Sequence, residues 1–357
     1  MRGRLDAWEV DVVVAIPRRG PYRWLLLVLA LGCLQGPTLA TELEQQLDIQ
    51  PFNATAGQSR NVADRWLRLG SQQATAGRPA AALASWQQAI EIYHALGDTV
   101  ALGLTYDYIG LTFASLGQYD QAEAALRRRL AIARDNQNLQ QEIFGWNNLG
   151  SLLLQQGKVT AAQAAFTEAY TLARQLDHPE GLGLSLSNLG LVAAIQGQWQ
   201  DARKYYETAA RHRYIAADWV GEAHTSNGLG DVYLALDQES AAIGAYRLAL
   251  RLARDANDVA VQLRAIDGLL PIYLERNELT TVRSLVDQRL ALTLGANNAQ
   301  TVFSLMYAGD YYQRSGDVSA ARTLYSRALE LAAALDMKQQ QANLANRLIQ
   351  LGGLPLL

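Results

Sequence analysis

The strongest constraint in this chain is a period. Gly70, Gly110, Gly150, Gly190 and Gly230 stand forty residues apart, Leu270 takes the sixth place, and Gly309 takes the seventh, one residue short. Four residues before the glycine come Trp66, Tyr106, Trp146, Leu186, Ser226, Ile266 and Leu305. Twelve after it come Ala82, Ala122, Ala162, Ala202, Ala242, Val282 and Ala321, and sixteen after it Trp86, Leu126, Phe166, Tyr206, Tyr246, Val286 and Tyr325. Nineteen after it come Ala89, Arg129, Ala169, Ala209, Ala249, Arg289 and Ala328. Such a chain does not gather one large core. Each unit is a supersecondary element that buries its apolar side by stacking on the next.

Trp-x-x-Leu-Gly, then Ala, then an aromatic, with turn glycines at 77, 117, 157, 197 and 316, resembles the tetratricopeptide repeat. The resemblance covers about residues 60–335 and implies an all-α fold, a right-handed solenoid of about seven antiparallel helix pairs plus a C-terminal capping helix. Small residues such as Gly150, Ala162 and Ala169 are expected where the two helices of a pair cross, with Phe166 filling the wedge toward the next repeat. Forty residues instead of the usual thirty-four imply longer helices or longer loops, as in "LARQLDHPEGLGLSLSNLG". This subtype is similar to the repeats of kinesin light chains and Pins-type adaptors. Repeat six departs most, with Leu270, Pro271 and Val282, so a degenerate unit with a local bend is expected there. "DMKQQQANLANRLIQL" is the candidate cap. The expected organisation is a signal peptide over 1–40, a linker over 41–60, the solenoid over 61–335, and a capping helix with its tail over 336–357.

Arg18, Arg19 and Arg23 precede the apolar run "WLLLVLALGCL", and small residues follow in "GPTLATELE". That order matches a secretory signal, and the run is about half of what spans a bilayer. Cleavage after Ala40 releases a chain beginning at Thr41, exported to a periplasm or equivalent lumen. The alternatives are a lipid anchor on Cys33 in "ALGC" and an uncleaved signal anchor. Cys33 is the only cysteine, which excludes a disulfide framework and a thiolate metal site. A formal net charge of -3 with very few lysines leaves no footprint for nucleic acid.

With the repeat counted from seven residues before its glycine, positions two, five, six, nine and thirteen are expected to face or edge the groove lined by each repeat's first helix. Position six holds Tyr108, Asn148 and Asn188; position five holds Asp107, Asn147, Asn227 and Asp267; position nine holds Asp231 and Asp310; His224 stands at position two. Asn147, Asn148, Asn188 and Asn227 make an amide ladder with donors and acceptors for an extended peptide backbone. The resemblance implies that role for Asn ahead of Leu-Gly; hydrogen bonding between helices with no ligand is the alternative. Asp231, Asp267, Asp310 and Glu275 make the C-terminal half of the groove acidic, with Arg264 and Arg314 neutralising part of it. A basic partner segment or a divalent cation held by carboxylates fits such a face, and so does a solvated charged surface.

No catalytic constellation stands out. His94, His178, His212 and His224 show no metal-ligand spacing, and the glycines do not form a phosphate loop or a nucleophile elbow. The sequence therefore reads as non-enzymatic, with no cofactor and no metal centre. Its expected role is to bind a protein or extended peptide in the groove, as a scaffold in assembly of an envelope or membrane complex. Two alternatives stand beside it: an assembly factor of a photosystem-type complex with cation binding by groove carboxylates, which the resemblance allows, and a structural oligomer.

Overall fold

The computed structural model describes residues 58–293 and 295–352. The expected export signal, Cys33 and most of the linker lie outside the described residues. Fifteen α-helices and no strand occur among those described: α1 Gln58–Thr75, α2 Pro79–Leu96, α3 Thr99–Ser115, α4 Tyr119–Asp135, α5 Leu139–Gln155, α6 Val159–Gln175, α7 Pro179–Ile195, α8 Trp199–Ile215, α9 Trp219–Ala235, α10 Glu239–Asp255, α11 Val259–Glu275, α12 Leu279–Thr293, α13 Ala299–Ser315, α14 Val318–Ala334 and α15 Lys338–Gln350. Helix α1 begins inside the segment expected to be linker. None of these helices is long and apolar enough to cross a membrane.

The extra length of the repeat lies in the helices and not in the loops. Most helices are seventeen residues, about 26 Å at 1.5 Å per residue. Three-residue turns join most of them, and a left-handed residue recurs every twenty positions, at Gly117, Gln137, Gly157, Asp177, Gly197, Ala217, Asp237 and Asn257. At Gly117, φ +71 lets the Gln118 N–H reach back to the Phe113 carbonyl and close α3. Turns between repeats carry a further signal. Asp98, Asn138, His178, Asp218 and Asp258 each accept, through a side-chain atom, the N–H three residues on. His178 is thus a helix cap.

The chain divides into two compact units, one running to Gly221 and including residues 234–236, the other holding Glu222–Tyr233 and Asp237 onward. In the first, α1 packs on α2, α3 on α4, α5 on α6 and α7 on α8, and buried Ala, Leu, Ile and aromatic residues fill the space between successive pairs. In the second, α13, α14 and α15 share a core of Val302, Leu305, Tyr325, Leu344 and Leu348. The outward side of α15 carries Gln339, Asn343, Asn346 and Gln350.

Within a pair, the repeat glycine and the side chain sixteen residues on form one contact. A Cβ on Gly150 would stand 2.5 Å from Phe166 Cε1; the same atom on Gly190 would meet the Tyr206 ring at 3.0 Å, and on Gly309 the Tyr325 ring at 2.3 Å. Phe166 therefore lies against Gly150 of its own repeat, and it shares a buried cluster with Leu189 and Val192 of the next one, the wedge that the sequence suggested. Repeat six keeps the volume by exchanging sizes: Leu270 replaces glycine, Val286 replaces the aromatic, and both are buried with Val282. α11 continues through Pro271, and α11 and α12 share a smaller contact than the paired helices of repeats one to four and seven.

Gly150→Leu should destabilise the chain by about 1–3 kcal/mol through overpacking. Adding Phe166→Val, which copies repeat six, should recover most of that loss. Thermal and urea denaturation of the single and double variants measures the coupling, and additive losses would show that glycine and ring are independent.

Candidate partner-binding face

The asparagines expected to meet a ligand mostly bond to neighbouring helices. Asn148 Nδ2 donates to Asp107 Oδ1 at 2.9 Å, tying α5 to α3. Asn147 Nδ2 donates to the Ile143 carbonyl at 2.9 Å and to Ser185 Oγ at 3.0 Å, and Asn188 Nδ2 donates to Asn147 Oδ1 at 2.9 Å, tying α5 to α7. In the second unit, Asn227 Nδ2 donates to the Val261 carbonyl at 3.2 Å. Asp107, Asn147, Asn148 and Asn227 are buried, and only Asn188 is part-exposed. The ladder exists, but it holds first helices together. Tyr108 stacks on Trp86 with centroids 5.4 Å apart, and His224 lies 3.8 Å from Asp258 at the start of α11.

The acidic half is likewise already engaged. Asp231 accepts from Tyr246 Oη at 2.6 Å and from Arg264 Nη2 at 2.9 Å. Asp267 accepts from Arg289 Nε at 2.6 Å and Nη2 at 2.9 Å. Asp310 accepts from Tyr325 Oη at 2.6 Å and forms an ion pair with Arg347. Burial, with Asp231 adjacent, pushes the Tyr246 hydroxyl well above its ordinary pKa. Among the described residues no group of three or more His, Cys, Asp or Glu is placed to hold a metal ion. The cation alternative loses its carboxylates to arginine and tyrosine.

Two of these pairs are one device used twice. Arg replaces Ala nineteen residues after the glycine only in repeats two and six, the two repeats with Asp at position five. Arg129 Nε donates to Asp107 Oδ2 at 2.9 Å, as Arg289 does to Asp267. Arg289 places its remaining N–H groups on the Gln300 carbonyl, Gln300 Oε1 and Ser304 Oγ, at 2.8, 3.0 and 2.5 Å. Burial disfavours its charge, and Asp267, by charge and hydrogen bonding, outweighs that and raises its pKa. In the first unit the register puts Gln141 where Gln300 stands and Gly145 where Ser304 stands, and the buried Arg129 Nη1 has no hydrogen-bond partner among the described residues. The coincidence of Arg with Asp was visible in the sequence as a paired departure from the repeat.

A stripe on the first helices of the first unit does remain accessible. Phe144, Ser151, Leu154 and Gln155 of α5 are part-exposed, as are Ser187, Leu191 and Ile195 of α7. These are mainly positions two, nine and thirteen, spaced to share one helix face. On α5 and α7 position six is spent on bonds between helices, and position five stays part-open only at Ser187, whose Oγ accepts from Arg213 Nε at 3.3 Å.

Gly145→Ser should raise stability by roughly 1–2 kcal/mol, by giving Arg129 Nη1 an acceptor and removing a helix-interior glycine. The added Cβ meets Leu130 Cδ1 at 3.2 Å, a contact a small shift relieves. Denaturant midpoints of wild type, Gly145→Ser and Ser304→Gly check this, with movement in opposite directions expected.

A tetratricopeptide repeat family model matches residues 62–135, 142–211 and 181–255, a little over half of the chain. Human mitochondrial tetratricopeptide repeat protein 19 is 27% identical over 133 residues, which are 37% of this chain and 35% of that protein, so the chain spans about a third of the curated relative it matches. Aspartyl phosphate phosphatase F from Bacillus subtilis superposes with a TM-score of 0.55 at 14% identity, covering 82% of this chain and 79% of the other. The Rap conjugation gene regulator of the plasmid pLS20, in complex with a Phr peptide, superposes with a TM-score of 0.53 at 16% identity, covering 87% and 89%. At these identities the two structures share the fold. The family model carries more: this chain belongs to the tetratricopeptide repeat family.

Proposed function

We propose that the protein is a non-catalytic scaffold that holds an extended peptide or a protein segment along the first helices of its repeats. The observation that carries this is the uncovered stripe on α5 and α7. Phe144, Leu154, Leu191 and Ile195 offer apolar contact, Ser151 and Gln155 offer hydrogen bonds, and the Asn147–Asn188 and Asn148–Asp107 bonds fix the helices that present them. Apolar anchors interleaved with a few polar groups on rigid elements suit recognition of an extended chain. The peptide held by the Rap regulator supports the same use of a similar fold.

In this reading the protein acts after export, in assembly of an envelope or membrane complex. The export part rests on residues 18–40 alone: a basic flank, a short apolar run and small residues. Intact mass of the chain recovered from cells distinguishes a start at Thr41 from a lipid-modified Cys33.

A photo-crosslinking benzoylphenylalanine placed at Ser151, on the stripe, and at Gln87, exposed on α2, tests the site in the native host. Crosslinked partners are expected from position 151, absent from position 87, and lost when Leu191→Arg is added to a chain that still melts normally. Identical products from both positions, or products that survive Leu191→Arg, would place the partner elsewhere.

A further inference from the structure

We infer that the second unit carries an anion site, a pocket between α11, α13 and α15 that takes a carboxylate of an acidic peptide. This rests on the reading above that the first helices hold a peptide, and it adds the chemistry of the part bound here. The cavity is about 560 Å3, and its walls are Leu274, Asn277, Asp310, Gln313, Arg314 and Arg347. All come from first helices or the turn after one, with α15 standing as the first helix of an eighth repeat that has no second.

The charges on these walls decide the ligand. Asp310 is the one carboxylate among them, and it is occupied by the Tyr325 hydroxyl and by Arg347. Arg347 is held in turn, with its guanidinium over the Tyr325 ring at 5.6 Å. Arg314 is different. It is exposed in the last turn of α13 and has no hydrogen bond or carboxylate partner among the described residues. The uncompensated charge of the pocket is therefore positive, although the sequence reads this half of the groove as acidic.

Register strengthens the assignment. Position thirteen holds Thr75, Ser115, Gln155, Ile195, Ala235, Glu275 and Arg314, so the single basic residue in that series lines this cavity. A guanidinium presents a planar fork of donors that matches a carboxylate. The amide of Asn277 and the Nε2 of Gln313, whose Oε1 accepts from Tyr325 Oη at 2.9 Å, supply further hydrogen bonds, and buried Leu274 supplies an apolar wall for the neighbouring side chain. Glu275 is exposed next in sequence to Leu274 and is not a wall of the pocket; its charge opposes an anion there.

The test titrates the full chain, by heteronuclear NMR, with a capped Leu-Asp-Glu tripeptide and with its neutral counterpart, capped Leu-Asn-Gln. The acidic peptide should shift resonances of α13 and α15 and the neutral one should not. Arg314→Glu should weaken binding by about tenfold or more, Arg314→Lys less, and Glu275→Gln should tighten it. Arg283→Glu, at an exposed side chain of α12, makes the same charge change away from the pocket and should leave binding intact. Equal binding of both peptides, no binding of the acidic one, or equal loss from Arg283→Glu and Arg314→Glu would overturn the site. The tripeptide is too short to need the α5–α7 stripe. A silent tripeptide with position-151 crosslinks intact removes the pocket alone, and the reverse pattern leaves a carboxylate site on a protein whose peptide reading has failed.

Discussion

The contact between the repeat glycine of one helix and the side chain sixteen residues later on its partner sets the terms for the rest of the structure. It brings a helix backbone against a ring, so the two seventeen-residue helices lie closer than side chain on side chain would allow. What the ring carries then has consequences. Phe166 needs nothing further. Tyr246 and Tyr325 bring a hydroxyl into a part-buried interface, and each donates it to the aspartate immediately after the glycine, Asp231 or Asp310. Each aspartate in turn requires a cation, which arrives from the next first helix as Arg264 or Arg347. A packing choice inside one repeat thereby dictates a charge in its neighbour.

The Arg129–Asp107 and Arg289–Asp267 pairs extend that logic to the joint between repeats. A buried ion pair is weak evidence for stability, because desolvation opposes the Coulombic gain. Its consequence here is register. Arg289 uses Nε, Nη1 and Nη2 on acceptors of both its own repeat and the following one, which fixes how those helices stack. Arg129 reaches its carboxylate through Nε alone and faces Gly145 in place of a serine, so its joint keeps the ion pair without the acceptors on the following repeat that Arg289 uses.

The fold was legible because the repeat pattern lists, unit by unit, which positions must be small and which large. Boundaries were less so. Gln137, Asp177 and Ala217 adopt left-handed turns without glycine, which hid three of the turns between repeats and suggested long loops where three residues suffice. The site was misread for a related reason. A register names the face of a helix and not what the next helix does to it. Asn147 reads as groove-facing from its own repeat, and it is the hydroxyl of Ser185, thirty-eight residues away, that claims it. The acidic face was legible only in part, because Arg264 was counted beside Asp231 while Arg289 and Arg347, which pair with Asp267 and Asp310, were not.

Pairing between repeats also limits what a partner can recognise. A stack of helix pairs offers a ligand the side chains that its own packing leaves unmet. In the first unit, after the amides are bonded across α3, α5 and α7, the remainder is apolar and hydroxyl-bearing. In the second, once Asp231, Asp267 and Asp310 have been matched with Arg264, Arg289 and Arg347, the pocket retains the charge of Arg314. Net charge is a poor guide to either surface, since an acidic chain can present a basic pocket when its carboxylates are the more fully committed partners. Selectivity on such a face follows from which groups the repeats spend on one another, and the departures from the repeat are where that spending differs.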